Sequence, residues 1–95
     1  MTIYRLTFLR DAQKEWEKLG ANIQKQLKAK IRERLANPRV PSAALRGMPD
    51  CYKIKLRSAG YRLVYRVFDG RIVVQVVAVG KRERNQVYKI AAGRV

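Results

Sequence analysis

The chain has 95 residues, which we predict to form one domain, 1–95, around a single modest hydrophobic core. Its 22 Lys and Arg against 7 Asp and Glu give a formal net charge of +15, so we expect an acidic partner, an RNA surface, or both. With no histidine and one cysteine, the sequence excludes a disulfide framework, a cysteine-rich metal site and any catalytic group built on histidine. We therefore predict no metal and no cofactor.

The sequence offers no membrane segment. The first dozen residues carry charged side chains and no apolar leader. The longest apolar run, residues 72–79, is interrupted by Gln75 and is far shorter than the ~20 residues that span a bilayer. We expect a cytoplasmic protein with no membrane contact.

The first elements in chain order are a strand and a helix. Apolar and polar residues alternate over residues 3–8, which predicts a short strand. Asp11 is expected to start a helix that ends at Gly20. One face of this helix is apolar and holds Ala12, Trp16 and Leu19.

A second helix follows at once and has one basic face. Its apolar residues recur at four-residue spacing: Ile23, Leu27, Ile31 and Leu35. It is expected to stop at Asn37-Pro38, because proline disfavours helical geometry in the residue before it. The opposite face carries Lys25, Lys28, Lys30, Arg32 and Arg34. Such a face is either ordinary solvated surface or a binding site. The two helices should form a hairpin packed on one face of a sheet.

Three strands are predicted in the second half, after a proline-rich loop at residues 37–50. They cover residues 51–57, 61–68 and 72–79, with Asp69-Gly70 as a two-residue turn that pairs Phe68 with Arg71. Residues 85–95 are expected to form a short helix or a mobile tail.

Strand alternation predicts one strongly cationic sheet face. If the first of these hairpins has an even number of loop residues, one face receives Lys53, Lys55, Arg57, Arg62 and Arg66. In the last strand, the helix-packed residues should be Ile72, Val74, Val76 and Ala78. The cationic face should then receive Val73, Gln75, Val77 and Val79. A strand that is apolar on both sides is either central in the sheet or a docking place for a partner segment.

A cationic sheet face can bind RNA by phosphate contacts and base stacking. Cleavage of RNA needs, in addition, a base for the ribose 2′-hydroxyl, cations for the developing charge and an acid for the leaving oxygen. Lysine is a poor base, with an ordinary pKa of about 10.4, but the like charges around Lys55 should lower it. The pattern alone therefore supports RNA binding and permits RNA cleavage.

Two motifs identify a family. The segments LRGMPDCYKIKLRSAGYRLVY and VGKRERNQVY resemble RelE-type toxins, the mRNA interferases of bacterial toxin–antitoxin pairs, and the resemblance covers residues 1–88. It implies an α+β fold with a helical hairpin on one face of a small antiparallel sheet. The implied order is β-α-α-β-β-β with a short C-terminal helix or tail. It also implies cleavage of translated mRNA in the ribosomal A site, by attack of the 2′-hydroxyl on the adjacent phosphate.

The resemblance assigns catalytic roles to five residues. Lys53 and Lys55 match catalytic lysines, with Lys55 as general base. Arg62 matches the arginine that holds the reacting phosphate, and Arg82 matches a residue that neutralises the transition state or leaving group. Tyr88 matches an aromatic residue that positions or stacks on the mRNA.

RNA binding is predicted for a further set of basic residues. Arg46, in LRGMPD, matches a basic position of the family that we assign to RNA. The other RNA-binding candidates lie on the sheet face, after the last strand and on the second helix, and are Arg57, Lys81, Arg84, Lys25, Lys28 and Arg32.

The implied partners are a RelB-like antitoxin, the 70S ribosome with its mRNA, and operator DNA bound through the antitoxin. Two other functions stay open. One is a toxin of the same fold that inhibits DNA gyrase, and the other is a non-enzymatic module that binds RNA or the ribosome.

Overall fold

A computed structural model describes residues 2–83 and 85–95. The described elements follow the chain as β1 (Arg5–Phe8), α1 (Arg10–Glu17), α2 (Ala21–Ala36), a short 3-10 turn (Pro41–Ala43), β2 (Cys51–Leu56), β3 (Tyr61–Phe68), β4 (Val73–Lys81) and α3 (Gln86–Arg94). The four strands form one sheet in the order β1-β4-β3-β2. The predicted α+β architecture and element order are confirmed. Arg84 lies outside the described residues.

The helical hairpin forms as predicted, with a different role for Gly20. Helix α1 ends at Glu17, and the next two amides bond back to the carbonyls of Glu15 and Trp16. Since these bonds close the last turn, Gly20 is not needed as its cap, and that prediction is wrong. Gly20 is instead the extended residue before α2, whose carbonyl accepts from the Gln24 amide at 3.0 Å.

The main core lies between the helical hairpin and one face of the sheet. The buried helix residues Ala12, Trp16, Leu27 and Ile31 pack against strand residues Ile54, Leu63, Tyr65, Val67, Val74 and Val76. These positions follow the helical and strand periodicities read from the sequence. The core therefore fixes which face of each strand points away from the helices.

The sheet is mixed, because β1 runs parallel to β4 while the other pairs are antiparallel. The predicted sheet was antiparallel throughout, and β1 is the exception. The hairpin between β2 and β3 pairs Leu56 with Tyr61 and has four loop residues, so the predicted even number is confirmed. The last loop residue, Gly60, has φ of +70°, which favours glycine.

The connection from β3 to β4 is longer than predicted. Phe68 pairs with Val73, so four residues separate the strands and the two-residue Asp69-Gly70 turn is wrong. The Asp69 carboxylate does not act within the turn, because it accepts hydrogen bonds from Tyr4 and Arg39. Two added residues leave the alternation unchanged, so the start of β4 keeps its predicted faces.

A β-bulge at Val77 reverses the faces in the second half of β4. Tyr65 pairs with Val76, but the preceding residue, Val64, pairs with Ala78. Val79 therefore joins the core under the helices and Ala78 lies on the opposite face, which is the reverse of the prediction for both.

The backbone groups around this bulge are bound by two distant side chains. Glu15 on α1 accepts from the Val79 amide at 3.2 Å, and Arg94 on α3 donates to the Val77 carbonyl at 2.9 Å. The two side chains also pair with each other at 2.9 Å. This contact ties both ends of the chain to the same irregularity in β4.

The C-terminal segment is a docked helix. Val87 and Ala91 of α3 pack on the sheet face opposite to α1 and α2, against Cys51, Val64, Val77 and Ala78. The apolar outer face of β4, which is central in the sheet, is thus covered by a segment of its own chain. Within residues 2–83 and 85–95, no helix is long and apolar enough to cross a membrane.

Candidate active site

A cavity of about 500 Å³ opens where the ends of β2, β3 and β4 meet the start of α3. Its walls contain all five predicted catalytic residues and two of the predicted RNA-binding residues. The lining is Lys53, Lys55, Arg57, Arg62, Lys81, Arg82, Glu83, Asn85, Gln86, Val87 and Tyr88. Residues far apart in the chain therefore meet in one cationic pocket.

The sheet register explains how the basic side chains meet. Lys55 on β2 lies opposite Arg62 on β3, and Arg62 lies opposite Gly80 on β4. Paired residues share a face, so these side chains project to the side away from the helical hairpin. A Cβ at Gly80 would lie 3.4 Å from the Val87 side chain, an ordinary contact distance, so α3 packs directly over this end of β4.

Arg62 is the buried cation of the pocket, with only 9% of its surface exposed. Its guanidinium donates to the Tyr61 carbonyl at 2.9 Å, and no carboxylate in the described part of the chain lies within salt-bridge distance of it. A buried charge without a counter-ion is costly to the fold. This arrangement suits an arginine whose partner is an anionic ligand.

The lysine pair supplies the candidate base. Lys53 is the main cause of a lowered pKa at Lys55, and partial burial adds to it. Three guanidinium groups lower this pKa further, those of Arg57, Arg62 and Arg82. A lowered pKa leaves more of Lys55 neutral near pH 7, which is the form that can accept a proton.

Arg82 and Tyr88 reach the pocket from two different elements. Arg82 follows β4, and its amide donates to the Gly60 carbonyl at 2.6 Å, which joins it to the β2–β3 loop. Tyr88 lies on the first turns of α3, and its hydroxyl is buried without a hydrogen-bond partner among residues 2–83 and 85–95. The docking of α3 therefore determines where Tyr88 stands.

Four other RNA-binding candidates lie outside this pocket. Arg46 is exposed in the loop before β2, next to Leu45 and Met48, which contact the α3 core. Three more lie around a groove on α2, on the opposite side of the sheet: Lys25, Lys28 and Arg32. The remaining candidate, Arg84, is outside the described residues.

Several residues of the pocket were missed by the sequence analysis. Glu83, Asn85 and Gln86 line it, and their position within the GKRERNQVY motif was the available signal.

Arg34, predicted on the exposed face of α2, is half-buried and donates to the Lys53 carbonyl and the Tyr65 hydroxyl, each at 3.0 Å. It supports β2 from beneath the lysine pair.

Within the described residues, no group of three or more His, Cys, Asp or Glu side chains could hold a metal ion. The ionisable side chains that line the pocket are those of lysine, arginine, tyrosine and one glutamate. Such a set can bind a phosphodiester, transfer a proton and stabilise negative charge.

Known proteins are similar to this chain in sequence and in fold. Residues 6–86 match the family described as ParE toxin of type II toxin-antitoxin system, parDE. The chain is 58% identical to the mRNA interferase toxin RelE of Escherichia coli K12 over 92 residues, which cover 97% of each chain.

Solved structures are similar over the whole length. A free-state variant of the E. coli toxin RelE, with two arginines replaced by alanine, matches with a TM-score of 0.91 and 54% identity over 99% of both chains. The same variant in complex with an antitoxin RelBc peptide matches with a TM-score of 0.83 and 54% identity, also over 99% of both chains.

Proposed function

The chain belongs to the family of RelE and ParE toxins of type II toxin–antitoxin systems, and we infer that it is an mRNA interferase, an endoribonuclease that cuts messenger RNA. One observation carries this inference. The pocket gathers Lys55, Arg62, Arg82 and Tyr88 around a space that can hold a phosphodiester. The relatives named as mRNA interferases give the reaction class.

The reaction we propose is attack of the ribose 2′-hydroxyl on the adjacent phosphorus. Lys55, in its neutral form, takes the proton of the 2′-hydroxyl as the new oxygen–phosphorus bond forms. The bond to the 5′-oxygen of the next nucleotide breaks, and that oxygen takes up a proton from solvent, while Lys55 later returns the proton that it accepted. The products are a 2′,3′-cyclic phosphate and a 5′-hydroxyl, so no water is consumed in this step.

The arginines stabilise the charge that develops during this step. Arg62 is buried and fixed, so its donors are preorganised for the phosphate oxygens of the transition state. Arg82 lies at the open side of the pocket, where it can neutralise the phosphate or the leaving oxygen. Tyr88 positions the message by contact with a base or the backbone.

Ribosome dependence follows from the weakness of this catalytic set. A lysine base and two cations need the 2′-oxygen, phosphorus and leaving oxygen close to one line, and positioning of this kind supplies about 7–11 kcal/mol of a barrier. We propose that the ribosome holds the message in the A site, in the cytoplasm, and that the basic groove on α2 docks on ribosomal RNA.

An antitoxin is the expected second partner. The relative in complex with an antitoxin RelBc peptide supports a RelB-like protein, and an acidic segment would offset the +15 charge of this chain. We propose that the toxin–antitoxin complex binds operator DNA through the antitoxin.

The two alternatives are less consistent with the pocket. A gyrase inhibitor has no use for a buried arginine beside a lysine of lowered pKa. A non-enzymatic module would need many cations but no particular one, so its single substitutions should give small and similar losses.

The test is to map the 3′ ends of a message on stalled ribosomes after addition of wild type or Arg82→Ala, with Lys18→Ala as a control outside the pocket. A cut in the A-site codon by wild type and the control, absent without ribosomes and absent with Arg82→Ala, is expected. An intact message with wild-type protein that binds ribosomes would overturn the nuclease function.

A further inference from the structure

A second basic surface lies on the same sheet face as the pocket, on the other side of α3. Arg66 pairs with Gln75, and Val73 pairs with both Phe68 and Arg5, so these side chains share one face. Arg66 is four residues from Arg62 along β3, a separation of about 13 Å. We call the set Arg5, Arg66, Phe68 and Arg71 the Phe68 surface.

Two guanidinium groups of this surface stack on one aromatic ring. The Cζ atoms of Arg66 and Arg71 lie 4.8 and 4.5 Å from the centroid of the Phe68 ring. Cation–π contact holds the guanidinium groups in place and leaves their terminal Nη groups for hydrogen bonds to an anion. The repulsion between two cations held on one ring would be relieved by a shared anionic ligand.

In the part of the chain that the structure describes, the guanidinium groups of this surface form no side-chain hydrogen bond. The Nε atom of Arg66 is buried with no hydrogen-bond partner in the described part of the chain. Among residues 2–83 and 85–95, no carboxylate pairs with Arg5, Arg66 or Arg71. Asp69 is next to this surface in sequence, but its carboxylate is held by Arg39 at 2.7 Å and by Tyr4 at 2.6 Å.

We propose that the Phe68 surface binds the phosphate backbone of RNA as a contact separate from the pocket. A guanidinium fork matches the oxygens of a phosphate, and an open sheet carrying basic and aromatic side chains suits single-stranded or irregular RNA. The role of this contact on the ribosome rests on the proposed function, whereas RNA binding itself does not.

The composition of the surface favours RNA over an acidic protein segment. Protein interfaces depend on a buried apolar centre. Here Val73 is only 6% exposed, and the Phe68 ring is already covered by two guanidinium groups. The remaining attraction is electrostatic, and electrostatic attraction supplies most of the affinity of proteins for a nucleic-acid backbone.

The test compares two variants that lose the same charge from different surfaces. Arg66→Gln/Arg71→Gln changes the Phe68 surface, and Lys14→Gln/Lys18→Gln removes two exposed charges from α1 and the residue after it. Binding is measured over a range of salt concentrations, with ribosomes that carry an uncleavable message containing 2′-deoxyribose in the A-site codon. Each lost phosphate contact should reduce the salt slope of the binding constant by about 0.7–0.9.

We expect Arg66→Gln/Arg71→Gln to lower the salt slope by about 1.4–1.8 relative to the matched control. Arg66→Lys/Arg71→Lys keeps the charge but loses the stacked fork, so an affinity between those of wild type and the Gln pair is expected. This second variant also serves as the test if the Gln pair does not fold.

Equal salt slopes for the Phe68 variants and the α1 control would overturn the proposal. So would a loss confined to binding of the antitoxin, since that would make the surface a protein interface. Because the message cannot be cut, this measurement is independent of catalysis. A wild-type protein that binds ribosomes without cutting mRNA would refute the proposed function and leave the RNA contact standing.

Discussion

Arg62→Met should separate catalysis from stability. The side chain is 9% exposed, carries an unpaired charge among other cations and makes one hydrogen bond within the described part of the chain, to the Tyr61 carbonyl. Removal of one preorganised donor for developing charge costs about 2.7–4 kcal/mol of transition-state stabilisation, a rate loss of about 10²- to 10³-fold. Methionine keeps an apolar stem of similar length, so little packing is lost.

The stability of the same variant should not fall with its activity. Loss of the hydrogen bond costs about 0.5–1.5 kcal/mol. Removal of a buried charge with no counter-ion acts in the opposite direction, and an apolar replacement of buried charges is often neutral or stabilising by about 1–4 kcal/mol. We therefore expect a free energy of unfolding that is unchanged to within about 0.5 kcal/mol or higher by up to about 3.5 kcal/mol.

The assays are single-turnover cleavage on ribosomes at saturating toxin and unfolding in urea. Arg57→Met is the matched control, because it removes an exposed cation from the same pocket and should slow cleavage by less than about tenfold, or 1.4 kcal/mol. The reasoning would be refuted if Arg62→Met slowed cleavage by no more than this control. A clear loss of stability would refute the second half of the argument.

Three further substitutions test the site and its supports. Lys53→Met removes the main cause of the lowered pKa of Lys55. The rising limb of the rate–pH profile should therefore move to higher pH, and cleavage near pH 7 should slow. An unmoved profile would exclude Lys55 as the base. Arg94→Ala removes the ion pair with Glu15 and the hydrogen bond to the Val77 carbonyl, which join α3 to α1 and β4. Urea unfolding should show a loss of about 1–2 kcal/mol in the free energy of unfolding, which Arg94→Lys partly restores. Equal stability of Arg94→Ala and wild type would contradict a stabilising role for these contacts. Tyr4→Phe removes the main cause of the lowered pKa of Asp69. Stability from this carboxylate is present above its unfolded pKa of about 3.9 and is lost as pH falls through its folded pKa, so the variant should show a smaller difference in stability between pH 7 and pH 3; an unchanged difference would contradict it.

The sequence was sufficient to predict which residues lie on each face of β2 and β3. Strict alternation and the need for an even loop placed Lys55 and Arg62 together, and the register shows them as direct neighbours. The helix boundary before Pro38 was also predictable, since it depends on a local steric rule.

The bulge at Val77 could not be predicted from the sequence. Because β4 is apolar on both faces, one extra residue does not show as a break in the alternation of its sequence. The side chains that bind the backbone around the bulge are those of Glu15 and Arg94, which are 79 residues apart. The Asp69-Gly70 turn failed for a similar reason, because Tyr4 and Arg39 hold the Asp69 side chain from distant parts of the chain.

The pocket was predicted in part by pattern and in part by resemblance. Alternation placed the lysines and Arg62 on one face. It did not place Arg82 or Tyr88, whose positions depend on how α3 docks on the sheet, and these two came from the resemblance to RelE-type toxins. The half-buried contact of Arg34 beneath β2 was missed because the other basic residues of its predicted face, such as Lys30 and Arg32, are exposed.

The central claim is that this pocket cuts mRNA through the 2′-hydroxyl. The most direct test uses stalled ribosomes with a message that has one 2′-deoxyribose on the 5′ side of the mapped cut, beside the unmodified message. We expect a cut with a 2′,3′-cyclic phosphate end in the unmodified message and no cut at that position in the modified one. Equal cleavage of both messages would contradict the account.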